Sequence, residues 1–227
     1  MILLDIEGTT TPITFVTDVL FAYARTHLPL FLEQQGGTPE VHLTLARLQE
    51  EYEQDRARGE TVPDWAPLAY LMWLMDRDRK SPALKDLQGR VWEDGFRNGT
   101  LVGPVYDDVP TALVRWRDAG IPVGIYSSGS VRAQQWLFRR SSAGDLTPLL
   151  SWHFDTAVGA KRETASYTRI ANDVNVAANE ILFVSDVAAE LDAARAAGMR
   201  TALIVRPGNT PEPNNDHQMV KSLDQLL

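Results

Sequence analysis

The chain has 227 residues, 44% of them hydrophobic, and a net charge of −8, which is enough apolar material for one large domain or one domain carrying a substantial insert. The acidic balance argues against sequence-independent binding of nucleic acid, whose affinity comes from neutralising phosphates. The absence of cysteine excludes disulfides and thiolate metal sites and points to the cytoplasm, while the early acid at position 5 argues against a signal peptide and the longest apolar run, residues 68–75, is too short to cross a bilayer.

Residues 1–4 predict a buried strand that delivers two acids to a glycine turn, Asp5-Ile6-Glu7-Gly8-Thr9-Thr10-Thr11. A carboxylate at the tip of a buried strand is costly unless a metal or a donor meets it. Taken alone, though, such a cluster reads most simply as a turn or a helix N-cap. From residue 12 to about 99 the pattern is helical, beginning with Phe15, Val16, Val19, Leu20, Tyr23, Ala24, His27 and Leu28 at three- and four-residue spacing. Further helices are predicted over residues 39–58, 65–78 and 84–96, with Gly, Pro and Ser between them.

After Gly103-Pro104 short apolar runs alternate with helices, the signature of a parallel sheet with crossover connections. Strands are predicted over residues 122–126, 181–184 and 201–205, with a weaker one at 154–158, and helices over residues 111–119, 131–139, 164–172 and 188–197. Gly120 and Gly198 read as helix C-caps. Residues 207–217 read as a surface loop and 220–227 as a final amphipathic segment. The expected fold is therefore α/β: a Rossmann-like parallel sheet with helices on both faces, built from residues 1–11 and 100–227, with residues 12–99 inserted as an all-helical cap. In open parallel sheets ligands bind beyond the carboxyl ends of the strands, so an insert there is placed to act as a lid.

The residues following the strands form a set: Asp5 and Glu7, then Ser127-Ser128-Gly129-Ser130, then Lys161, then Ser185-Asp186. Singly, each has a plainer explanation as a turn, a cap or a solvated lysine. Together they suit phosphate chemistry. The serine loop opens a helix and offers hydroxyls and backbone N–H groups to an anion. Lys161 supplies a point charge. Asp5 and Asp186 are hard oxygen ligands suited to Mg²⁺. Asp5 is then placed to attack phosphorus, with Glu7 protonating the leaving oxygen and later deprotonating the hydrolytic water.

These four motifs resemble those of the haloacid dehalogenase superfamily of Mg²⁺-dependent phosphatases. Most of those phosphatases have Asp two residues after the nucleophile, where this chain has Glu7. With the Thr9-Thr10-Thr11-Pro12-Ile13 continuation, the doubled serine before Gly129, Val158-Gly159-Ala160-Lys161-Arg162-Glu163, and Leu84-Lys85-Asp86-Leu87-Gln88-Gly89 in the insert, the chain looks like the enolase-phosphatase family of methionine salvage, the acireductone synthases. The resemblance implies one Mg²⁺ per chain, a monomer, and conversion of 2,3-diketo-5-methylthiopentyl-1-phosphate through its enol to 1,2-dihydroxy-3-keto-5-methylthiopentene plus phosphate. It implies Asp5 as nucleophile and metal ligand, Glu7 as acid/base with its backbone carbonyl on the metal, and Asp186 as the remaining protein ligand. Ser127, Ser128 and Lys161 would hold phosphate.

His27, His42, His153 and His217 lack metal-ligand spacing and are left out of the site. Trp65, Trp73 and Trp92 read as core of the insert, and Arg206 as structural. Two other readings stand beside the main one: a related phosphatase of another small phosphoester, and a receiver-like module phosphorylated on aspartate. The second shares acids, a hydroxyl and a lysine at strand tips but has no long helical block after its first strand.

Overall fold

The computed structural model describes residues 1–209 and 216–226. The chain forms two compact units, Met1–Val16 with Val102–Leu227, and Thr17–Leu101.

The first unit is built on a parallel sheet. Its strands are β1 (Ile2–Leu4), β2 (Val123–Tyr126), β3 (Trp152–Phe154), β4 (Leu182–Ser185), β5 (Arg200–Ile204) and β6 (Gln218–Val220), in the order β3-β2-β1-β4-β5-β6. Ile2 aligns with Val123 on one side and with Leu182 on the other. Ile2, Leu3 and Leu4 are fully buried, as a strand covered on both faces requires, and this is why β1 reads as a continuous apolar run rather than an alternating one. Leu3, Tyr126 and Phe183 belong to one core cluster with residues of α7 (Thr164–Val174) and α8 (Ala188–Ala196). Ile2 and Leu4 have the opposite parity and face the other side of the sheet. There α5 (Asp108–Asp118) packs against β2 and brings buried Val109, Ala112, Leu113 and Trp116. α6 (Val131–Arg139) packs against β3.

The chain moves outward from β1 to β2 and β3, then returns to set β4 against the free side of β1. Strand order reverses at that point. A crevice therefore opens beyond the carboxyl ends of β1 and β4, where the preceding and following crossovers part.

Three elements differ from the sequence-based expectation. The strand expected at residues 154–158 lies earlier, at Trp152–Phe154. Asp155 ends it: its Oδ1 accepts from Ala157 N (2.8 Å), and Val158 N bonds back to Asp155 O (3.1 Å), closing a turn. β6 was not expected, because a three-residue edge strand with exposed Gln218 and Met219 carries almost no apolar pattern. Beyond it, Ser222 starts a short 3₁₀ turn, Leu223–Gln225, in place of the longer amphipathic segment expected at 220–227. Of the loop expected at 207–217, residues 210–215 lie outside the described residues.

The second unit is helical. A π-helical stretch, Phe15–Leu20, leads into α1 (Phe21–Gln35), followed by α2 (Pro39–Ala57), α3 (Pro67–Asp76) and α4 (Pro82–Arg97). α4 shows the local logic. Ser81 Oγ accepts from Leu84 N (2.9 Å), Pro82 takes the first turn where its missing N–H costs nothing, and Leu84, Leu87 and Val91 line the buried face. Trp92 Nε1 donates to Leu20 O (2.7 Å) and Trp73 Nε1 to Thr61 O (2.9 Å), so both rings are buried with their polar edge satisfied. Among the described residues no helix is long and apolar enough to cross a membrane.

Candidate active site

Asp5 extends β1 by one residue, its N–H donating to Val184 O of β4 (3.0 Å). The chain then turns tightly. The N–H groups of Thr9, Thr10 and Thr11 all point at Ile6 O (3.2, 2.9 and 2.9 Å), Gly8 N donates to Thr11 O (2.8 Å), and Thr10 Oγ1 reaches Asp5 O (3.2 Å). Gly8 has φ +69°, which glycine adopts without penalty, and a Cβ there would fall on Asp186 Oδ2. The threonines thus form the loop that aims Asp5 and Glu7.

All six residues singled out in the sequence come together. Asp5, Glu7, Ser127, Ser128, Lys161 and Asp186 line a cleft of about 100 Å³, together with Ile13, Val187 and Glu190. Glu190 was missed. It sits one helical turn after Asp186, near the start of α8, and an acid on a helix reads as solvated surface unless the preceding Ser185-Asp186 is used to place it at the same strand tip. In the structure it is buried. Lys161 Nζ lies 2.6 Å from Asp5 Oδ1 and 2.6 Å from Glu190 Oε2. Ser185 Oγ donates to Glu190 Oε2 (3.1 Å) and accepts from Val187 N (3.1 Å).

Each loop is held from behind. Tyr167 Oη donates to Lys161 O (2.6 Å) and Tyr126 Oη to Gly159 O (2.9 Å), which fixes the backbone that presents the lysine. Gln134 Nε2 donates to Gly129 O (2.9 Å) and Phe154 O (2.8 Å), tying the serine loop to the end of β3. The serine loop differs from expectation in one respect. The N-terminus of α6 is partly occupied already, since Ser130 Oγ accepts from Ala133 N (3.3 Å) and Asp155 Oδ2 from Val131 N (3.3 Å). An anion there must rely on Ser127 and Ser128 rather than on the first turn of the helix.

Four carboxylates, Asp5, Glu7, Asp186 and Glu190, share this cleft with one ammonium. The imbalance shows in their titration. Burial, reinforced by Asp5, pushes Glu7 up to about 7, and the same two causes push Asp186 up to about 7. Burial and Asp5 also raise Glu190, against the opposing pull of Lys161. Burial acts to lower the Lys161 ammonium, and Asp5 and Glu190 more than offset it, so its pKa is raised. Excess negative charge from hard oxygen donors suits a small divalent cation. Among the described residues only Asp192, Asp216 and His217 bring three possible side-chain ligand atoms within 4.8 Å of one another, so the side chains of Asp5, Glu7 and Asp186 do not. Asp5 and Asp186 could hold a cation through their side chains, and the family resemblance adds the backbone carbonyl of Glu7. The Asp192 cluster is already compensated, because Arg195 bonds Asp192 (2.7 Å) and Asp216 (2.6 Å).

This arrangement has relatives. A family model for haloacid dehalogenase-like hydrolases matches residues 1–198. The enolase-phosphatase E1 of Synechococcus elongatus is 49% identical over 231 residues, covering 99% of this chain and 96% of the relative. That of Serratia proteamaculans is 47% identical over 225 residues, covering 99% and 95%. Among solved structures, the UTR4 protein of Saccharomyces cerevisiae superposes with a TM-score of 0.80 at 36% identity, covering 98% of this chain and 97% of the other. With sequence likeness running the full length of the chain and a sheet whose strand tips carry these acids, this protein belongs to the haloacid dehalogenase-like hydrolases and, within them, to the enolase-phosphatase E1 family.

Proposed function

We propose that the protein is a Mg²⁺-dependent enolase-phosphatase that converts 2,3-diketo-5-methylthiopentyl-1-phosphate, through its enol, to 1,2-dihydroxy-3-keto-5-methylthiopentene and phosphate. The observation that carries this reading is the gathering of Asp5, Glu7, Ser127, Ser128, Lys161 and Asp186 at one cleft in a chain with this family membership.

Asp5 attacks phosphorus; the bond from phosphorus to the substrate oxygen breaks, and Glu7 gives that oxygen its proton. The aspartyl-phosphate then takes a water on phosphorus, with Glu7 accepting the water's proton and Asp5 leaving as the carboxylate. Two features support Glu7 in both roles. Burial and Asp5 raise its pKa to about 7 in the metal-free cleft, and it lies two residues after the nucleophile. Lys161 and the hydroxyls of Ser127 and Ser128 hold the phosphoryl oxygens. Asp5, Asp186 and the Glu7 carbonyl would hold Mg²⁺, which when bound would supply charge neutralisation for the anions and Lewis acidity for the enolisation. Glu7, one methylene longer than Asp, is the base we assign to the enolising carbon-bound proton. Residues 1–16 and 102–227 carry the chemistry. The protein acts as a monomer.

Purified protein with Mg²⁺ and the diketone phosphate is expected to show a transient enol absorbance followed by phosphate release. Phosphate release with no enol would reject the substrate assignment and favour another small phosphoester. The Asp5→Asn variant is expected to lose phosphate release by at least about a thousandfold. Wild-type turnover in that variant would overturn the covalent mechanism, and a phosphoprotein stable for hours would support a receiver-like role instead.

A further inference from the structure

The loop that follows β5 reaches back to the tips of β1 and β4. Asn209 Nδ2 lies 2.9 Å from Gly8 O and 2.9 Å from Asp186 Oδ2. A carbonyl and a carboxylate can only accept, so the amide nitrogen must face them, and each of its two hydrogens has a partner. Turning the amide over would set its oxygen against two others. The contact is close on its other side as well, since a Cβ added to Gly8 would lie 2.9 Å from Asn209 Nδ2 and would collide with Asp186 Oδ2. The bare backbone of Gly8, the Asp186 carboxylate and the Asn209 amide therefore pack as one unit.

The loop bearing Asn209 is itself anchored. Asn209 N donates to Arg206 O (3.0 Å). The buried Arg206 side chain sends Nε to Thr9 O (3.0 Å) and Nη1 to Asp108 Oδ2 (2.8 Å), and its guanidinium lies 4.3 Å from the ring centroid of Tyr106. Arg206, read as structural from the sequence, fixes the far side of the same turn that Asn209 holds through Gly8. A planar, always-charged fork suits this task better than a lysine.

We infer that Asn209 is a positioning residue for the cation site. By binding one oxygen of Asp186 to the Gly8 turn, it fixes the plane of that carboxylate against the loop that carries Asp5, so that the other oxygen is presented to the cleft before any cation arrives. Asn209 touches neither substrate nor cation; it acts through Asp186. The inference rests on the Mg²⁺ reading given above and deepens it. Groups that orient metal-binding carboxylates commonly contribute 10- to 100-fold in metal affinity.

The test is a calorimetric titration of substrate-free protein with MgCl₂, with metal-free melting recorded in parallel. Asn209→Ala is expected to bind Mg²⁺ about 10- to 100-fold more weakly than wild type, with a smaller effect on kcat at saturating Mg²⁺ than on the Mg²⁺ concentration needed for half-maximal rate. Asn209→Gln, which keeps the donor, is expected to recover part of the affinity. Wild-type uptake of Mg²⁺ with uptake by Asn209→Ala within twofold of it overturns this inference alone. A wild-type protein that takes up no Mg²⁺ overturns the metal reading and the inference with it. Should Asn209→Ala lack a cooperative melting transition, Asn209→Ser, too short to reach both acceptors, decides by the same comparison.

Discussion

Asp5 at the tip of β1 and Glu190 in the first turn of α8, two buried carboxylates, share the ammonium of Lys161 at 2.6 Å each. The lysine is therefore a structural counter-charge before it is a substrate contact. Two anions and one cation leave the trio net negative, and burial together with Asp5 raises the pKa of Glu190 against the pull of Lys161.

Lys161→Met keeps most of the aliphatic volume but leaves both carboxylates facing each other without compensation. Removing one partner of a buried ionic set costs about 3–5 kcal/mol, and urea unfolding of the metal-free protein at pH 7.5 is expected to show a loss of that order. A loss below 1 kcal/mol would mean that water screens the trio.

Glu190→Gln leaves Lys161 paired with Asp5 alone. The fold is expected to survive with a smaller loss than Lys161→Met, while phosphate release falls about 10- to 100-fold because the ammonium is no longer held between two anchors. Steady-state kinetics beside urea unfolding separates the two effects. Unchanged kinetics would make Glu190 a folding residue only.

Metal and pH are linked in a direction the geometry sets. Glu7 and Asp186 each have a folded pKa raised to about 7, above the unfolded value near 4. The folded state thus binds more protons between those values, and stability contributed by the neutral carboxyls is present below pH 4 and lost as pH rises through 7. From these two groups, the melting temperature of metal-free protein is expected to fall between pH 5 and 7.5, and added Mg²⁺ to restore it mainly at the upper end. Thermal scans with EDTA and with Mg²⁺ across that range check this; a Mg²⁺ effect as large at pH 5 as at 7.5 would contradict it.

What the sequence made legible follows from where patterns are strong. Apolar runs without alternation mark the inner strands, and the polar residues just past them are few, so Asp5, Ser127 and Asp186 could be picked out directly. Lys161 was picked out as following the strand expected at residues 154–158, although that strand ends earlier, at Phe154. Glu190 and Asn209 were not found, for different reasons. Glu190 lies within the first turns of α8, where an acid is ordinarily solvated. Asn209 lies in a Pro-Gly-Asn turn, where asparagine needs no further reason; only the return of that loop to Gly8 gives it one. The misplaced third strand and the unseen sixth are both edge strands of three residues, too short and too exposed to leave a period.

The central position of β1 also governs when the site can exist. Leu3 aligns with Gly124 on one side and Phe183 on the other, so β1 gains its second neighbour only when β4, nearly 180 residues later, is in place. As the chain emerges from the ribosome, residues 17–101 can close their own contacts while Met1 to Asp5 have nothing to pair with. A nascent chain short of β4 carries Asp5 on an open edge, without Asp186 or Glu190, the second anchor of Lys161. A chain that ends before β4 therefore lacks both Asp186 and Glu190, and the cleft cannot assemble without them.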